Sequence, residues 1–175
     1  MLDILFVHPN ASSLIYQGLA NKNAAIEPPI WAALLANSIR QTGKKTAIID
    51  TEAEGLNYKE SVKRILEIKS KIICFVVYGQ QPSASTQNME GATATAKLLK
   101  DYDPSTFIVF VGGHLAALPK ETLIKENYIN AVCLNEGVYA LRNLVKLEKF
   151  EDKYLEKVEG IAFRTEENTI TLNKP

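Results

Sequence analysis

Short apolar segments alternate with longer amphipathic segments along the first 150 or so residues of the chain. The apolar segments have the length of β-strands, whereas the longer ones repeat apolar residues every three or four positions, which is typical of helices. The predicted strands are Leu2–Val7, Thr46–Ile49, Lys71–Val77, Phe107–Val111 and Ala131–Leu134. The predicted helices are Ile30–Thr42, Tyr58–Ile68, Ser85–Tyr102, Pro119–Glu126 and Val138–Leu147. In the first of these helices, the apolar face is expected to contain Ile30, Leu34, Leu35 and Ile39.

This alternation predicts an α/β fold. Five strand–helix units are typical of a doubly wound parallel sheet with helices on both faces. Lys71–Val77 is almost continuously apolar, as expected of a parallel strand that is covered on both sides. Five strands favour the flavodoxin-like order 2-1-3-4-5 over a six-stranded dinucleotide fold.

The last residues have a different pattern. Glu159–Thr165 and Thr169–Leu172 are separated by the polar residues 166–168, which predicts a β-hairpin. We therefore expect an α/β domain over residues 1–150, followed by a linker and a C-terminal β-hairpin over residues 151–175.

Composition narrows the class of protein. Hydrophobic residues make up 46% of the chain, and 20 basic residues balance 20 acidic ones, so nucleic-acid binding has no electrostatic support. No apolar run reaches the roughly 18 residues of a membrane helix, and the first residues lack a basic leader. We expect a cytoplasmic protein. Cys74 and Cys133 lie within apolar strands, which predicts buried free thiols rather than a metal site.

Several motifs are missing from the sequence. Neither a Gly-x-Gly-x-x-Gly fingerprint nor a phosphate-binding Gly-x-x-x-x-Gly-Lys-Ser/Thr loop is present, and there is no Gly-x-Ser-x-Gly nucleophile elbow. A phosphoacceptor receiver domain would carry Asp at the end of its third strand, where this chain has Val77 or Tyr78. The sequence therefore disfavours a dinucleotide-binding protein, a P-loop protein, an α/β-hydrolase and a receiver domain.

Polar residues and glycines follow the predicted parallel strands, whose loops meet at the carboxyl edge of the sheet. In the order 2-1-3-4-5 a ligand crevice forms between the first and third strands. The two glycines in Val111-Gly-Gly-His114 would let a flat ligand approach the backbone closely. The candidate binding residues in these loops are His8, Pro9, Asn10, Gly79, Gln80, Gln81, Ser83, Ser85, Gly112, Gly113, His114, Asn135, Glu136 and Gly137.

Each candidate also has a structural interpretation. Ser83 or Ser85 could cap the third helix, and Glu136 could complement a helix dipole. Gly112 and Gly113 could form only a tight turn. His8 and His114 could be ordinary loop histidines.

Several of these segments together resemble the cobalamin-binding domain at the N-terminus of many radical S-adenosylmethionine enzymes. The resemblance extends from Leu2 to Leu172. The matching segments are Pro9-Asn10, Pro28–Ala36 with Gly43 and Asp50, Tyr78–Gln87, Val111–His114 with Pro119, Asn135–Gly137 and Gly160–Arg164.

The resemblance implies a corrinoid that lies across the carboxyl edge, with its nucleotide tail in the crevice. Residues 83–85 and Gly112-Gly113 would flank the tail. Backbone and side chains of His114, Leu115 and Glu136 would face the corrin ring or its amides.

Two departures from related patterns affect what this chain can do. The cobalt-ligating Asp-x-His-x-x-Gly of methionine-synthase-type domains is absent, since the first strand continues as His8-Pro-Asn-Ala-Ser-Ser13. The Cys-x-x-x-Cys-x-x-Cys that holds the [4Fe–4S] cluster is absent too. The resemblance therefore implies a non-catalytic module of a methyltransferase or cyclase, with S-adenosylmethionine and the cluster bound in a catalytic domain outside this chain.

An alternative function stays open at this point. A flavodoxin-like regulatory or protein-interaction module would have the same fold, with the terminal hairpin as an interaction edge. Flavin binding is less favoured, because the first loop lacks the Ser/Thr/Gly cluster that cradles a phosphate.

Overall fold

The structure, a computed structural model, describes residues 1–10, 28–79 and 82–175, except for the side chains of residues 82–84. Seven strands are present in these ranges: β1 (Leu2–His8), β2 (Thr46–Asp50), β3 (Ser70–Val76), β4 (Phe107–Val111), β5 (Ala131–Cys133), β6 (Ile161–Arg164) and β7 (Ile170–Leu172). The helices are α1 (Ile30–Arg40), α2 (Tyr58–Glu67), α3 (Pro82–Tyr102), α4 (Gly113–Ala117), α5 (Pro119–Lys125), α6 (Val138–Leu144) and α7 (Asp152–Leu155). Within these ranges no helix is both long and apolar enough to cross a membrane.

All seven strands form one sheet in the order β2-β1-β3-β4-β5-β6-β7. The first five are parallel, which confirms the predicted doubly wound sheet and its order. The predicted hairpin is also confirmed, and it extends the sheet because β6 pairs antiparallel with β5. The short helices α4 and α7 were not expected, and α3 begins at Pro82, three residues before its predicted start.

The sheet is buried on both faces, as the continuous apolar strands predicted. In β1, Ile4 and Phe6 pack with α1 and α6 on one face, whereas Leu5 and Val7 pack with α2 and α3 on the other. Burial of this apolar surface is the main force that holds the layers together. Cys74 and Cys133 are free and buried in the first of these cores, as predicted.

Helix α1 packs on the sheet through small residues. Its buried face consists of Ala32, Leu35, Ala36 and Ile39. The expectation that Ile30 and Leu34 belong to this face was wrong, since both side chains are 57% exposed. The two alanines let the helix approach the sheet closely, whereas Ile30 and Leu34 stay at the surface.

The hairpin is attached to the domain by polar contacts. The guanidinium of Arg164 donates to the Leu123 carbonyl oxygen, and the Asn173 amide donates to the carbonyl oxygens of Leu155 (2.8 Å) and Val158 (2.7 Å). Beyond β7, the Lys174 carbonyl oxygen accepts from the backbone N–H of Gly160 at 2.6 Å. Residues 161–172 thus belong to the same sheet as the parallel strands, while the division of the chain at residue 150 stays a prediction.

Candidate functional site

A cavity of about 430 Å³ opens at the carboxyl ends of β1 and β3, beside the first turn of α1. The described residues that line it are His8, Pro28, Pro29, Ile30, Trp31, Ala32, Leu34, Val76, Tyr78 and Gly79. Its volume lies in the range of about 300–1,000 Å³ that is usual for small-molecule pockets. The cavity lies between the first and third strands, where the strand order predicts a ligand crevice.

Two stacked aromatic rings form one wall of this cavity, which we call the aromatic wall (Trp31 and Tyr78). Their ring centroids are 4.4 Å apart and their planes differ by 22°. Burial raises the pKa of the Tyr78 hydroxyl to about 12, with a further contribution from the negative charge of Glu136. The wall is therefore uncharged at neutral pH and offers a flat apolar surface to a ligand.

The mouth of the cavity carries exposed apolar side chains. Ile30 and Leu34 are each 57% exposed and Trp31 is 39% exposed, although all three lie on α1 and line the same cavity. An exposed apolar group beside a pocket is typical of a binding surface.

His8 provides an ionisable side chain in the lining of the cavity. It is almost fully buried at the end of β1, and its Nε2 atom lies 3.6 Å from a carboxylate oxygen of Glu52. The His8 carbonyl oxygen accepts from both the backbone N–H (3.0 Å) and the hydroxyl (2.8 Å) of Thr51. The loop after β2 thus fixes both the backbone and the ring of His8.

The other candidates of the first and third loops differ in what the structure describes. Pro9 is buried, and the Asn10 amide donates to the Leu56 carbonyl oxygen at 3.2 Å. Gly79 lines the cavity. Gln80, Gln81 and the side chain of Ser83 lie outside the described residues.

The corner at Gly112 is filled by the chain itself. A Cβ atom at Gly112 would lie 2.2 Å from the Val77 carbonyl oxygen. The buried Ser85 hydroxyl donates to that oxygen at 2.5 Å and accepts from the backbone N–H of His114 at 3.0 Å. Gly112 therefore permits a close approach of two loops, and Ser85 lies inside α3 rather than at its cap.

Gly137 has a similar role in the fifth loop. Its φ of +79° favours glycine, and a Cβ atom there would lie 2.8 Å from a methyl group of Val111. Its backbone N–H donates to the Asn135 side chain at 3.0 Å. The neighbouring Glu136 is exposed, and its negative charge contributes, after burial, to the raised pKa of Tyr78.

The structure does not bring all the candidates together. Leu115 is fully buried in the core on the α3 face of the sheet, so the prediction that it faces a ligand at the edge rests on its backbone alone. His114 lies on that same face, with its Nδ1 atom 3.1 Å from the Thr86 hydroxyl, whereas the cavity lies on the α1 face. His8 and Gly79 are thus the candidates that line the cavity.

Sequence reasoning missed the aromatic wall. Trp31 is the only tryptophan of the chain and lies in Pro28–Ala36, a segment that carried the resemblance but from which we named no site residue. A single tryptophan in the first turn of a helix whose buried face contains alanines could have indicated the aromatic wall.

Comparison with known proteins identifies the family. The family model of the B12 binding domain matches residues 16–145, which is most of the chain. An anaerobic magnesium-protoporphyrin IX monomethyl ester cyclase from Cereibacter sphaeroides is 26% identical over 164 residues, which cover 91% of this chain and 25% of the cyclase. An uncharacterized methyltransferase from Pyrococcus horikoshii is 27% identical over 175 residues, or 100% of this chain and 35% of that protein. The chain thus spans only about a quarter to a third of these relatives.

Solved structures share the fold. The radical S-adenosylmethionine methyltransferase TsrM from Kitasatospora setae, with cobalamin and a [4Fe-4S] cluster bound, superposes with a TM-score of 0.71 at 15% identity, over 98% of this chain and 28% of TsrM. The same enzyme with tryptophan and an S-adenosylmethionine analogue gives 0.72 at 14% identity, over 98% and 30%. The family match, together with this fold, shows that the chain belongs to the B12 binding domain family, whose cofactor is cobalamin.

Proposed function

We propose that this domain holds the nucleotide tail of a corrinoid in the cavity between β1, β3 and α1, and presents the corrin ring at the carboxyl edge to a radical S-adenosylmethionine catalytic domain. The observation that carries the proposal is the cavity with its aromatic wall at the switch point of a B12-binding fold.

The residues present fit such a tail. A flat heterocyclic base gains most from an apolar aromatic surface, which Trp31 and Tyr78 supply. A volume near 430 Å³ suits a nucleotide-sized group and leaves a larger macrocycle outside, next to the exposed Ile30 and Leu34. Gly79 adds no side chain to the lining, so the backbone of the third loop is accessible there.

Cobalamin, when bound, supplies the cobalt chemistry of methyl transfer or radical reactions, and the protein supplies binding and orientation. In this chain the aromatic wall would present a flat apolar surface to the tail. Tyr78 is neutral at pH 7 with or without its raised pKa, so its hydroxyl can donate a hydrogen bond. The imidazole of His8 lines the cavity, with a carboxylate oxygen of Glu52 at 3.6 Å from its Nε2 atom.

The other loop candidates form the surroundings of this site in the proposal. Pro9 and Asn10 fix the first loop, and Gln80 and Ser83 would approach the tail from the third. Gly112, Gly113, His114 and Glu136, with Gly137, would shape the edge below the corrin ring. Family membership supports this assignment, and titration of variants tests it residue by residue.

Titration of the purified domain with hydroxocobalamin tests the proposal. We expect a saturable change in the visible spectrum at one corrinoid per chain, because the cavity changes the surroundings of the tail and hence of cobalt. Cobinamide, which lacks the nucleotide tail, serves as the matched ligand and should bind about tenfold or more weakly, a difference of at least about 1.4 kcal/mol.

A domain whose circular dichroism shows an intact fold, yet which binds no hydroxocobalamin at high micromolar concentration, would contradict the proposal. Equal affinities for hydroxocobalamin and cobinamide would show that the nucleotide tail does not bind in the cavity.

The catalytic partner is the second part of the proposal. Its support is that the relatives are named as a cyclase and a methyltransferase and are three to four times longer than the matched region. We expect the reading frame after Pro175 to encode Cys-x-x-x-Cys-x-x-Cys, since three thiolates hold a [4Fe–4S] cluster with one iron open for S-adenosylmethionine. Sequencing of the gene checks this, and a stop codon directly after Pro175 would favour a free-standing module.

The two free thiols also support a cytoplasmic location.

A further inference from the structure

The first turns of α3 contact both loops that meet at the carboxyl edge. The Ser85 hydroxyl joins the Val77 carbonyl oxygen to the His114 backbone N–H, at 2.5 and 3.0 Å. Three residues later, the Asn88 side-chain amide donates to the Tyr78 carbonyl oxygen at 3.1 Å. One helix end therefore holds the carbonyl oxygen of the Val77–Tyr78 peptide and the next carbonyl oxygen along the chain, on both sides of the Tyr78 Cα atom.

This peptide is part of a tightly packed corner. The Val77 backbone N–H donates to the Val111 carbonyl oxygen at 2.7 Å, so that the residue is held from β4 as well as from α3. Gly112 leaves no room between these groups, since even a Cβ atom would lie 3.2 Å from the Ser85 hydroxyl oxygen. Tyr78 has little freedom to move as long as these contacts persist.

Tyr78 in turn sets the position of the aromatic wall. Its ring stacks on Trp31 from α1, on the opposite face of the sheet from α3. The polar contacts of α3 thus act on the cavity through the backbone of Tyr78, although neither Ser85 nor Asn88 is among the described residues that line it.

We propose that Ser85 and Asn88 are positioning residues that fix Tyr78 and thereby determine how tightly the cavity holds the nucleotide tail of the corrinoid. The inference rests on the proposed function, because it takes the cavity to be the site of the tail. It assigns Ser85 an effect on the tail through the backbone, since its buried hydroxyl is already engaged with two backbone groups.

A matched control separates positioning from general stability. Thr95 is another buried hydroxyl residue of α3, and it donates to the Gly91 carbonyl oxygen at 2.9 Å without contact to either loop. Ser85→Ala and Thr95→Ala each remove one buried hydroxyl from the same helix, so both should lower stability. Only Ser85→Ala is expected to disturb the aromatic wall.

The experiment measures dissociation constants of hydroxocobalamin and cobinamide for the wild type and both variants. We expect Ser85→Ala to raise the dissociation constant of hydroxocobalamin about tenfold, which is the size of effect that the loss of a buried hydrogen bond produces. The dissociation constant of cobinamide should stay within about twofold of the wild-type value. Thr95→Ala should change the dissociation constant of neither ligand by more than about twofold. Near-ultraviolet circular dichroism of the free domain, which reports the stacked Trp31, should change in Ser85→Ala and stay as in the wild type in Thr95→Ala.

The inference would be overturned if Ser85→Ala weakened the binding of hydroxocobalamin and cobinamide equally, or if it changed neither affinity. It would also be overturned if Thr95→Ala weakened hydroxocobalamin binding as much as Ser85→Ala does. If Ser85→Ala does not fold, Asn88→Ala, which removes a half-buried contact to Tyr78, must show the same selective loss to a smaller extent. A wild type that binds no corrinoid refutes the proposed function, whereas an altered dichroism signal in Ser85→Ala would still support the positioning of Tyr78.

Discussion

Gly112→Ala is expected to lower the free energy of unfolding by about 3 kcal/mol, in the upper part of the usual range for overpacked positions, and to abolish cobalamin binding. The added methyl carbon would lie 2.2 Å from the carbonyl oxygen and 2.8 Å from the carbonyl carbon of Val77. Val77 cannot retreat, because its N–H is bonded to Val111 and its carbonyl oxygen to Ser85. The corner must therefore open, and Tyr78 moves with it.

Gly113→Ala is the control for this prediction. At the adjacent position a Cβ atom would find its nearest neighbours, the Cβ and hydroxyl oxygen of Ser85, at 3.9 Å, which is ordinary contact. Urea unfolding followed by circular dichroism gives the free energies, and hydroxocobalamin titration gives the affinities. If both alanine variants were equally stable, the tight approach at Gly112 would be refuted.

Trp31→Ala is expected to weaken hydroxocobalamin binding about 30-fold, or about 2 kcal/mol, which is typical of an aromatic residue at the centre of a binding site. The ring is 39% exposed in the free domain, so its removal should cost little stability. Trp31→Phe keeps an aromatic partner for Tyr78 and should retain much of the affinity.

Tyr139→Ala provides the comparison for Trp31. Tyr139 is a 75% exposed aromatic residue on α6 and is not among the described residues that line the cavity. Its removal should leave the affinity for hydroxocobalamin unchanged, as judged by the visible spectrum of the corrinoid. A Trp31→Ala variant that binds as tightly as Tyr139→Ala would exclude the aromatic wall as the site of the tail.

The layout of the sheet was predictable because it depends on short-range patterns. The apolar strands and the helices between them determine a parallel sheet, and chain connectivity leaves few orders for five strands. The pattern in α1 was misleading because bulky apolar residues are usually taken as core. Here Ala32 and Ala36 lie against the sheet, and Ile30 and Leu34 are exposed and line the cavity.

The site was only partly predictable because its contacts join distant parts of the chain. The two glycines after β4 indicated the close approach of a ligand, but the group that approaches Gly112 is the Val77 carbonyl oxygen, which the Ser85 hydroxyl holds. The sequence placed Leu115 next to these residues at the edge, whereas the turn of α4 directs its side chain into the core. The stacking of Trp31 on Tyr78 depends on how α1 packs on the sheet, which no local pattern encodes.

The direction of the last strand has a consequence for assembly. β6 runs antiparallel to β5 and β7 reverses once more, so Lys174 lies beside Gly160, at the same end of the sheet as the cavity. Any polypeptide joined to Pro175 would therefore start at the carboxyl edge of the sheet, four strands along from β3 and the cavity. A domain tethered there would begin on the same edge of the sheet as the proposed corrinoid site but to one side of it, at a point that the pairing of β6 with β7 determines.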